Sequence, residues 1–312
     1  MRVAVVDIGS NSTRLLVAEV DPDGGGVQEL VRRSTVTRLG QGVDASGELA
    51  PEAMDRVFAA LRAYREDIDT HAAATAVAVL TSAVRDAANG SAFTERVRAD
   101  FGLDARTLSG DEEAQLSFLG ATSERAQEAP APVVVIDIGG GSTEFVVGAR
   151  GKVDFHVSTQ AGVVRHGERH VHSDPPAPAE LEALAQDARA VYATATDGQR
   201  ATAGIAVAGT ATTAAAIAQA LEPYDPDKVH GYRLTRATCE AIRDRLRTMT
   251  VQERKVVPGL HPDRALTIVP GTVLLLEAMR AFALDEVEVS EHDILRGVAL
   301  RAAGWTDVRL PG

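Results

Sequence analysis

The sequence has 312 residues, and 32 Lys and Arg against 44 Asp and Glu give a formal net charge of −12. This length predicts two domains, each large enough to bury its own core. The acidic balance excludes a general nucleic-acid coat, and the single Cys239 excludes an intramolecular disulfide and a thiolate metal cluster. No apolar run is long enough to span a membrane, and the N-terminus lacks a signal-peptide pattern, so a cytoplasmic enzyme is expected.

Two segments of the chain share one pattern. Residues 5–17 read VVDIGSNSTRLLV and residues 135–147 read VIDIGGGSTEFVV, with 7 of 13 positions identical. Each predicts a strand, a tight glycine turn and a second strand. Neither continues directly into the helix that a Walker loop or a dinucleotide fingerprint requires. We therefore expect two similar domains that face each other and each present one glycine turn.

The rest of the chain alternates between strand and helix patterns. Between the repeats, in chain order, we predict a strand over 27–39, a helix over Pro51–Asp69, a strand at Thr75–Leu80 and a helix after Thr81. A further helix is capped by Ser91 and ended by Gly102, and another is opened by a capping box at Ser109–Glu112. We predict a linker over 127–132, a third glycine turn at 206–213 that enters an alanine-rich helix, and a turn at 290–297 into a C-terminal helix.

The glycine turns are candidates for phosphate binding. Consecutive backbone N–H groups in such a turn converge on one point and bind anions. Gly140 and Gly141 let a ligand approach the main chain. The hydroxyl groups of Ser12, Thr13, Ser142 and Thr143 add donors, depending on which way each side chain faces. The alternative is that both segments are ordinary tight hairpins.

A carboxylate stands at the end of the first strand of each repeat. Asp7 and Asp137 would repel a bound phosphate unless a cation lay between them and the phosphate, so Mg²⁺ is implied. The repeats differ at Arg14 and Glu144, and a second carboxylate at Glu144 favours a metal in the second domain. The alternative for Glu144 is a solvated strand residue.

Two further side chains are candidates for chemistry. Glu112 is expected to fold back onto the Ser109 cap, which leaves Glu113 ionised in the first helical turn, where it could activate water. Acidic residues in a first turn are more often only helix stabilisers. Arg85 follows a buried strand, where it could hold a phosphoryl group in a bidentate manner, or be an ordinary surface arginine.

For two charged stretches of the sequence, a solvated surface is preferred over a functional site. His166, His170 and His172 invite a zinc site, but no HExxH glutamate is present, and a solvated polar segment is preferred. The arginines between Arg233 and Lys255 predict a solvated helix face, with a track for a long polyanion as the alternative.

With these motifs the sequence resembles the exopolyphosphatase/guanosine pentaphosphate phosphatase family, within the sugar kinase–Hsp70–actin superfamily. The resemblance is carried, over essentially the whole chain, by DIGSNSTRLLV, TSAVRDA, SGDEEA, DIGGGSTEFV, AGTATT and SEHDILRGV. It implies an α/β fold of two ribonuclease-H-like (actin-like ATPase) domains with a cleft between them. The first domain would comprise residues 1–127 with a C-terminal helix at about 298–312, and the second residues 128–297.

The resemblance also implies roles for individual residues. Glu113 would be the catalytic base, Arg85 would hold substrate phosphate, and Asp137 and Glu144, with Asp7, would bind Mg²⁺, or alternatively Mn²⁺. The implied phosphate-binding residues are Ser10, Asn11, Ser12, Gly139, Gly140, Gly141, Ser142, Thr143, Gly209 and Thr210. The sequence departs from the family where Arg264-Ala265-Leu266 replaces a frequent Arg-Ala-Asp, and the segment before Arg165 is looser than usual.

The implied reaction is hydrolytic release of terminal orthophosphate from inorganic polyphosphate. Guanosine pentaphosphate or a nucleoside triphosphate is the alternative substrate. A different class stays open, because an actin-like nucleotide-binding module without significant hydrolysis, or a kinase, would use the same hairpins. No nucleic-acid or membrane partner is expected, and the resemblance favours a homodimer.

Overall fold

The structure, a computed structural model, describes residues 1–23, 25–125, 131–149 and 152–305. Residues 127–130 of the predicted linker and the end of the predicted C-terminal helix lie outside the described residues. The strands are β1 Arg2–Ile8, β2 Ser12–Val20, β3 Val27–Val36, β4 Thr75–Leu80, β5 Asp104–Thr107, β6 Val133–Ile138, β7 Thr143–Ala149, β8 Lys152–Thr159, β9 Ala203–Val207, β10 Arg233–Thr235 and β11 Glu286–Val289.

The helices confirm most of the predicted elements, but two of them begin inside segments predicted as turns: α8 begins at Ala208 within 206–213, and α13 begins at Ile294 within 290–297. They are α1 Val43–Ser46, α2 Pro51–Thr70, α3 Ser82–Asp86, α4 Gly90–Phe101, α5 Gly110–Thr122, α6 Val163–His170, α7 Pro178–Ala195, α8 Ala208–Ala218, α9 Pro226–Val229, α10 Arg236–Leu246, α11 Val251–Arg254, α12 Ile268–Ala281 and α13 Ile294–Ala302.

The chain divides into two compact units. The first comprises Met1–Arg125 and a C-terminal segment that begins at Asp293, and the second ends at His292. The predicted division had the second domain end at 297, so the two boundaries differ by a few residues around the start of α13. Among the described helices, none is both long enough and apolar enough to cross a lipid bilayer.

Each unit is built on a sheet with the same strand order. In the first unit the order is β3-β2-β1-β4-β5, and in the second it is β8-β7-β6-β9-β11 with β10 added at the edge. In both, the first three strands pair antiparallel and the next two join in parallel. This shared topology confirms the predicted duplicated α/β fold.

Strand β1 shows why the repeats begin with continuous apolar runs. Ala4, Val6 and Ile8 pack into a core with α2, whereas Val3 and Val5 point to the other face and pack with α5 and α13. A strand that is covered on both faces has no solvent side, so its sequence does not alternate between apolar and polar residues. Asp7 shares the Val3 and Val5 face, because side chains alternate along a strand.

Helix termini test the cap predictions. Ser109 accepts a hydrogen bond from the Glu112 N–H, and the Glu112 carboxylate accepts one from the Ser109 N–H, which confirms the capping box. The Ser109 N–H bond lowers the pKa of Glu112 although partial burial opposes it. The prediction that Ser91 caps α4 is wrong, because Asn89 is the N-cap residue and the helix begins at Gly90, two residues earlier than expected. Glycine fits this first position, where a Cβ would lie 1.9 Å from the Val84 carbonyl oxygen.

Candidate active site

The two predicted hairpins have the same internal geometry. In the first, the Gly9 N–H donates to the Ser12 carbonyl at 3.0 Å, and in the second the Gly139 N–H donates to the Ser142 carbonyl at 3.0 Å. The strand-turn-strand interpretation of both repeats is therefore confirmed.

The second glycine turn presents consecutive N–H groups on one side. The carbonyl of Gly139 accepts from Val163, that of Gly140 from Val164, and that of Gly141 from Arg165 Nε, at 3.0, 2.8 and 2.9 Å. All three carbonyls thus point at the first turn of α6.

Because these peptide bonds are trans, each N–H points opposite to the carbonyl of the same peptide group. The N–H groups of Gly140, Gly141 and Ser142 therefore point away from α6, and none of the three donates to another described residue. Neighbouring backbone donors in this arrangement form an anion-binding concavity.

The first turn is supported in a similar way by a different segment. The Ser10 carbonyl accepts from Gly40 at 2.7 Å, and the Asn11 carbonyl accepts from Thr37 and Arg38 at 3.0 and 2.8 Å. The N–H groups of Asn11 and Ser12 consequently point away from residues 37–40. The Asn11 amide nitrogen donates to Ser12 Oγ at 3.4 Å.

Hydroxyl groups of the turns differ in where they point. Ser10 is buried, and its Oγ lies 2.9 Å from Ser82 Oγ and accepts from the Ala83 N–H at 3.1 Å, so it ties the turn to α3. Thr143 is fully buried with its Oγ1 2.9 Å from the Tyr192 hydroxyl, and it also donates to the Ala161 carbonyl. These contacts engage the Ser10 and Thr143 hydroxyls inside the protein, whereas Ser12 is only half-buried.

Asp137 and Glu144 stand directly opposite each other across β6 and β7. Both are buried, at 7% and 1% exposure, and Ser158 on β8 donates to Glu144 Oε1 at 2.7 Å. Two like charges at facing positions of an antiparallel pair repel each other, and burial increases the cost. A divalent cation bound by carboxylate oxygens removes this repulsion, so the donor set fits Mg²⁺.

At the equivalent register of the first hairpin, Asp7 faces Arg14 instead of a second carboxylate. Arg14 donates to Asp7 Oδ2 from Nε and Nη2 at 2.9 and 2.6 Å, and from Nη1 to Asp293, the N-cap residue of α13. Burial raises the pKa of Asp7 although Arg14 opposes it. The carboxylate predicted as a metal ligand thus has a guanidinium as its counter-charge.

Glu113 and Arg85 form an ion pair within the first unit. Glu113 is 8% exposed in the first turn of α5, and Arg85, at the end of α3, donates to its Oε2 at 3.0 Å. The same Arg85 Nη1 donates to the Leu108 carbonyl at 3.1 Å. The two predicted catalytic side chains are therefore adjacent, with the guanidinium offsetting the negative charge of Glu113.

Gly209 and Thr210 lie in the first turn of α8. A Cβ at Gly209 would lie 1.6 Å from Arg264 Nη1, so glycine is needed for the guanidinium to pack against this turn. Arg264 Nη1 also donates to Thr213 Oγ1 at 3.4 Å. A helix N-terminus and a guanidinium both favour an anion, which suits the predicted phosphate role of this turn.

The predictions that two charged stretches form solvated surfaces are wrong in part. His166 is fully buried, because α6 packs against α7 and α12, whereas His172 is exposed. Arg254, within the arginine-rich stretch, is 1% exposed and donates to the Leu246 and Ala265 carbonyls at 2.9 and 3.2 Å. Neither belongs to a solvated face.

Residues 16–304 match the sequence model of the Ppx/GppA phosphatase family. The chain belongs to this family. It is 39% identical to Exopolyphosphatase 2 of Mycobacterium tuberculosis, over 97% of the chain and 99% of that protein.

Solved structures of Ppx/GppA relatives share the fold. The crystal structure of the Aquifex aeolicus family member is 30% identical, with a TM-score of 0.80 over 97% of both chains. That of an exopolyphosphatase from Cytophaga hutchinsonii is 27% identical, with a TM-score of 0.88 over 99% of this chain and 100% of the other.

Three side chains around these Ppx/GppA motifs were missed by the sequence reasoning. Ser158 orients Glu144, Arg165 holds the Gly141 carbonyl, and Asp293 holds Arg14. The repeat gave no signal for them, because each comes from a segment outside it. The Ser-Glu-His-Asp run before α13 could have indicated Asp293 as a helix cap.

Proposed function

We propose that this Ppx/GppA family member is an exopolyphosphatase that hydrolyses the terminal phosphoanhydride bond of inorganic polyphosphate. The two relatives named exopolyphosphatase, which align with nearly the whole chain, support this substrate. The observation that carries the proposal is the second hairpin, in which three unpaired turn N–H groups and two facing carboxylates occur together.

The turn N–H groups would bind anionic oxygens of the substrate. Gly140, Gly141 and Ser142 offer donors that need no reorganisation, since α6 already holds the carbonyls of the turn. In phosphoryl transfer, positioning and charge stabilisation of this kind supply most of the rate.

Glu113 would act as the general base. Its carboxylate would accept a proton from the attacking water as the new P–O bond forms and the anhydride P–O bond breaks, with the proton later lost to solvent. Arg85 would fix the position of Glu113 through the 3.0 Å bond and offer its remaining N–H groups to a phosphoryl oxygen.

Asp137 and Glu144 would hold Mg²⁺ through carboxylate oxygens, and Ser158 would orient Glu144. When bound, the cation would neutralise charge on the phosphoryl oxygens. Asp7 is a weaker candidate ligand, because Arg14 already compensates its charge.

The test is release of orthophosphate from long-chain polyphosphate, guanosine pentaphosphate and ATP, each with Mg²⁺, with Mn²⁺ and with a chelator. Glu113→Gln is expected to lower kcat by on the order of 10²- to 10⁴-fold, as for loss of a general base. Glu112→Gln is the matched control, since it removes the same charge from the same turn and keeps a residue suited to the capping box.

Each outcome has a distinct meaning. If the enzyme preferred guanosine pentaphosphate, that compound and not polyphosphate would be its substrate. Full activity of Glu113→Gln would show that Glu113 is not the general base. Tight ATP binding without phosphate release would favour an actin-like binding module, and a phosphorylated acceptor would favour a kinase. Homodimer formation and a cytoplasmic location stay predictions.

A further inference from the structure

A cavity of about 540 Å³ lies inside the second unit, between α7, α10 and α12. None of its lining residues belongs to the candidate active site. Its volume falls within the range of small-molecule sites, roughly 300–1,000 Å³. The arginine-rich stretch, which the proposed function does not use, contributes one of its walls.

The floor of the cavity is aliphatic. Leu181 and Ala185 come from α7, and Val273 and Leu276 come from α12. All four are buried, and α7 and α12 pack against each other at this point. The floor therefore offers an apolar surface at the bottom of a charged cavity.

A buried carboxylate positions two arginines at the rim. Glu277 is 2% exposed, and Arg189 donates to both of its oxygens, from Nε at 2.9 Å and from Nη2 at 3.1 Å. Arg280 donates to Glu277 Oε1 at 2.5 Å and to Glu240 at 3.2 Å. One carboxylate thus fixes two guanidinium groups whose other N–H groups stay available.

The opposite rim repeats this arrangement on α10. Asp244 accepts from Arg243 Nε and Arg247 Nε, each at 3.1 Å. The Arg243 and Arg247 side chains are 25% and 37% exposed. Four arginines face three carboxylates around the cavity, in a chain whose formal charge is −12.

These features restrict the chemistry of an occupant. A bare phosphate would leave the aliphatic floor uncovered, and a purely apolar molecule would desolvate four guanidinium groups without replacing their hydrogen bonds. An acyl chain needs a mostly apolar tunnel, whereas charged residues outnumber apolar ones here. Guanidinium planes stack on flat rings and bind phosphate in a bidentate manner.

We propose that this cavity is a second ligand site that binds a nucleotide, with the ring on the Leu181–Leu276 floor and the phosphate between the two arginine pairs. The site is separate from the residues of the proposed hydrolysis, because its lining comes from α7, α10 and α12, whereas Glu113 lies on α5 and Asp137 on β6.

The experiment is isothermal titration of the intact protein with AMP and GMP, which contain no phosphoanhydride bond. Adenosine and inorganic phosphate are titrated separately to test each half of the ligand. The site variants are Arg243→Gln with Arg247→Gln, whose partner Asp244 is exposed, and Ala185→Phe, which fills the cavity. Arg245→Gln is the matched control, since Arg245 is an exposed arginine of α10 outside the cavity.

We expect one mononucleotide to bind per chain, with adenosine and phosphate much weaker. The double arginine variant should weaken binding about tenfold or more, because charge-assisted bidentate bonds are lost, and Ala185→Phe should abolish it. Arg245→Gln, Glu113→Gln and Asp137→Asn should bind as the wild type does. The proposal would be overturned if neither AMP nor GMP bound, or if both site variants bound the nucleotide as tightly as the wild type does. The arginines would then form only solvated ion pairs with their carboxylate partners. Loss of binding in Asp137→Asn would assign the nucleotide to the active site instead.

Discussion

Acidification is expected to destabilise the protein through His166. This side chain is fully buried on α6, and neither ring nitrogen has a hydrogen-bond partner among the described residues. Burial lowers its pKa to about 4, although Asp187, with Oδ2 3.5 Å from Nε2, opposes the shift. The folded protein therefore holds a neutral imidazole that the unfolded chain would protonate more readily.

The sign follows from this difference in proton binding. The contribution of the neutral His166 side chain to the free energy of unfolding is fully present above the unfolded pKa of about 6.5, and it is lost as the pH falls from there to about 4. At about 1.4 kcal/mol per pH unit, the free energy of unfolding falls by about 3 kcal/mol across this range. Because the first turn of α6 holds the glycine turn, the loss also weakens the support of the candidate phosphate site.

The assay is urea unfolding, followed by circular dichroism, at a series of pH values. His166→Phe and His166→Leu should lose this part of the pH slope, whatever their absolute stability. His172→Gln is the control, since His172 is an exposed histidine six residues further along the chain. An unchanged slope in both His166 variants would show that the buried imidazole does not cause the pH dependence.

Three further predictions concern helix and strand contacts. Ser109→Ala removes the N-cap acceptor of α5 and should lower the free energy of unfolding by about 1 kcal/mol, with Ser109→Thr close to wild type. Gly297→Ala would place a Cβ 1.9 Å from the Leu116 carbonyl oxygen, so α13 must shift from α5. Thermal unfolding should show a cost of about 1–3 kcal/mol, and a neutral effect would contradict the close contact. Ser158→Ala removes the donor to Glu144 and should raise the Mg²⁺ concentration for half-maximal activity by about 10-fold. Ser158→Thr should restore it, and an unchanged requirement would mean that Glu144 needs no such orientation.

The sequence predicted the local features that follow from short-range physics. The twin hairpins came from glycine turns between apolar runs, and the α5 terminus came from the Ser109–Glu112 spacing. The inward position of Thr143 could also have been predicted from the sequence, because side chains alternate along a strand and Thr143 lies on the same side of β7 as Phe145 and Val147 in the core.

Contacts between distant segments could not be predicted in this way. The burial of His166 and Arg254 depends on α7, α12 and the Leu246 and Ala265 carbonyls, and a polar local sequence gives no sign of such neighbours. The same holds for the pairing of Arg189 with Glu277, which are 88 residues apart.

The discontinuous make-up of the first unit has a consequence for biosynthesis. Leu116 and Leu119 share a core cluster with Leu295 and Val298, which a ribosome adds only after the whole second unit has been made. The nascent N-terminal segment must emerge with an uncovered apolar strip on α5, a feature that attracts chaperones. The second unit, although it is synthesised later, can thus reach its native state before the first unit, which requires α13 to complete its core.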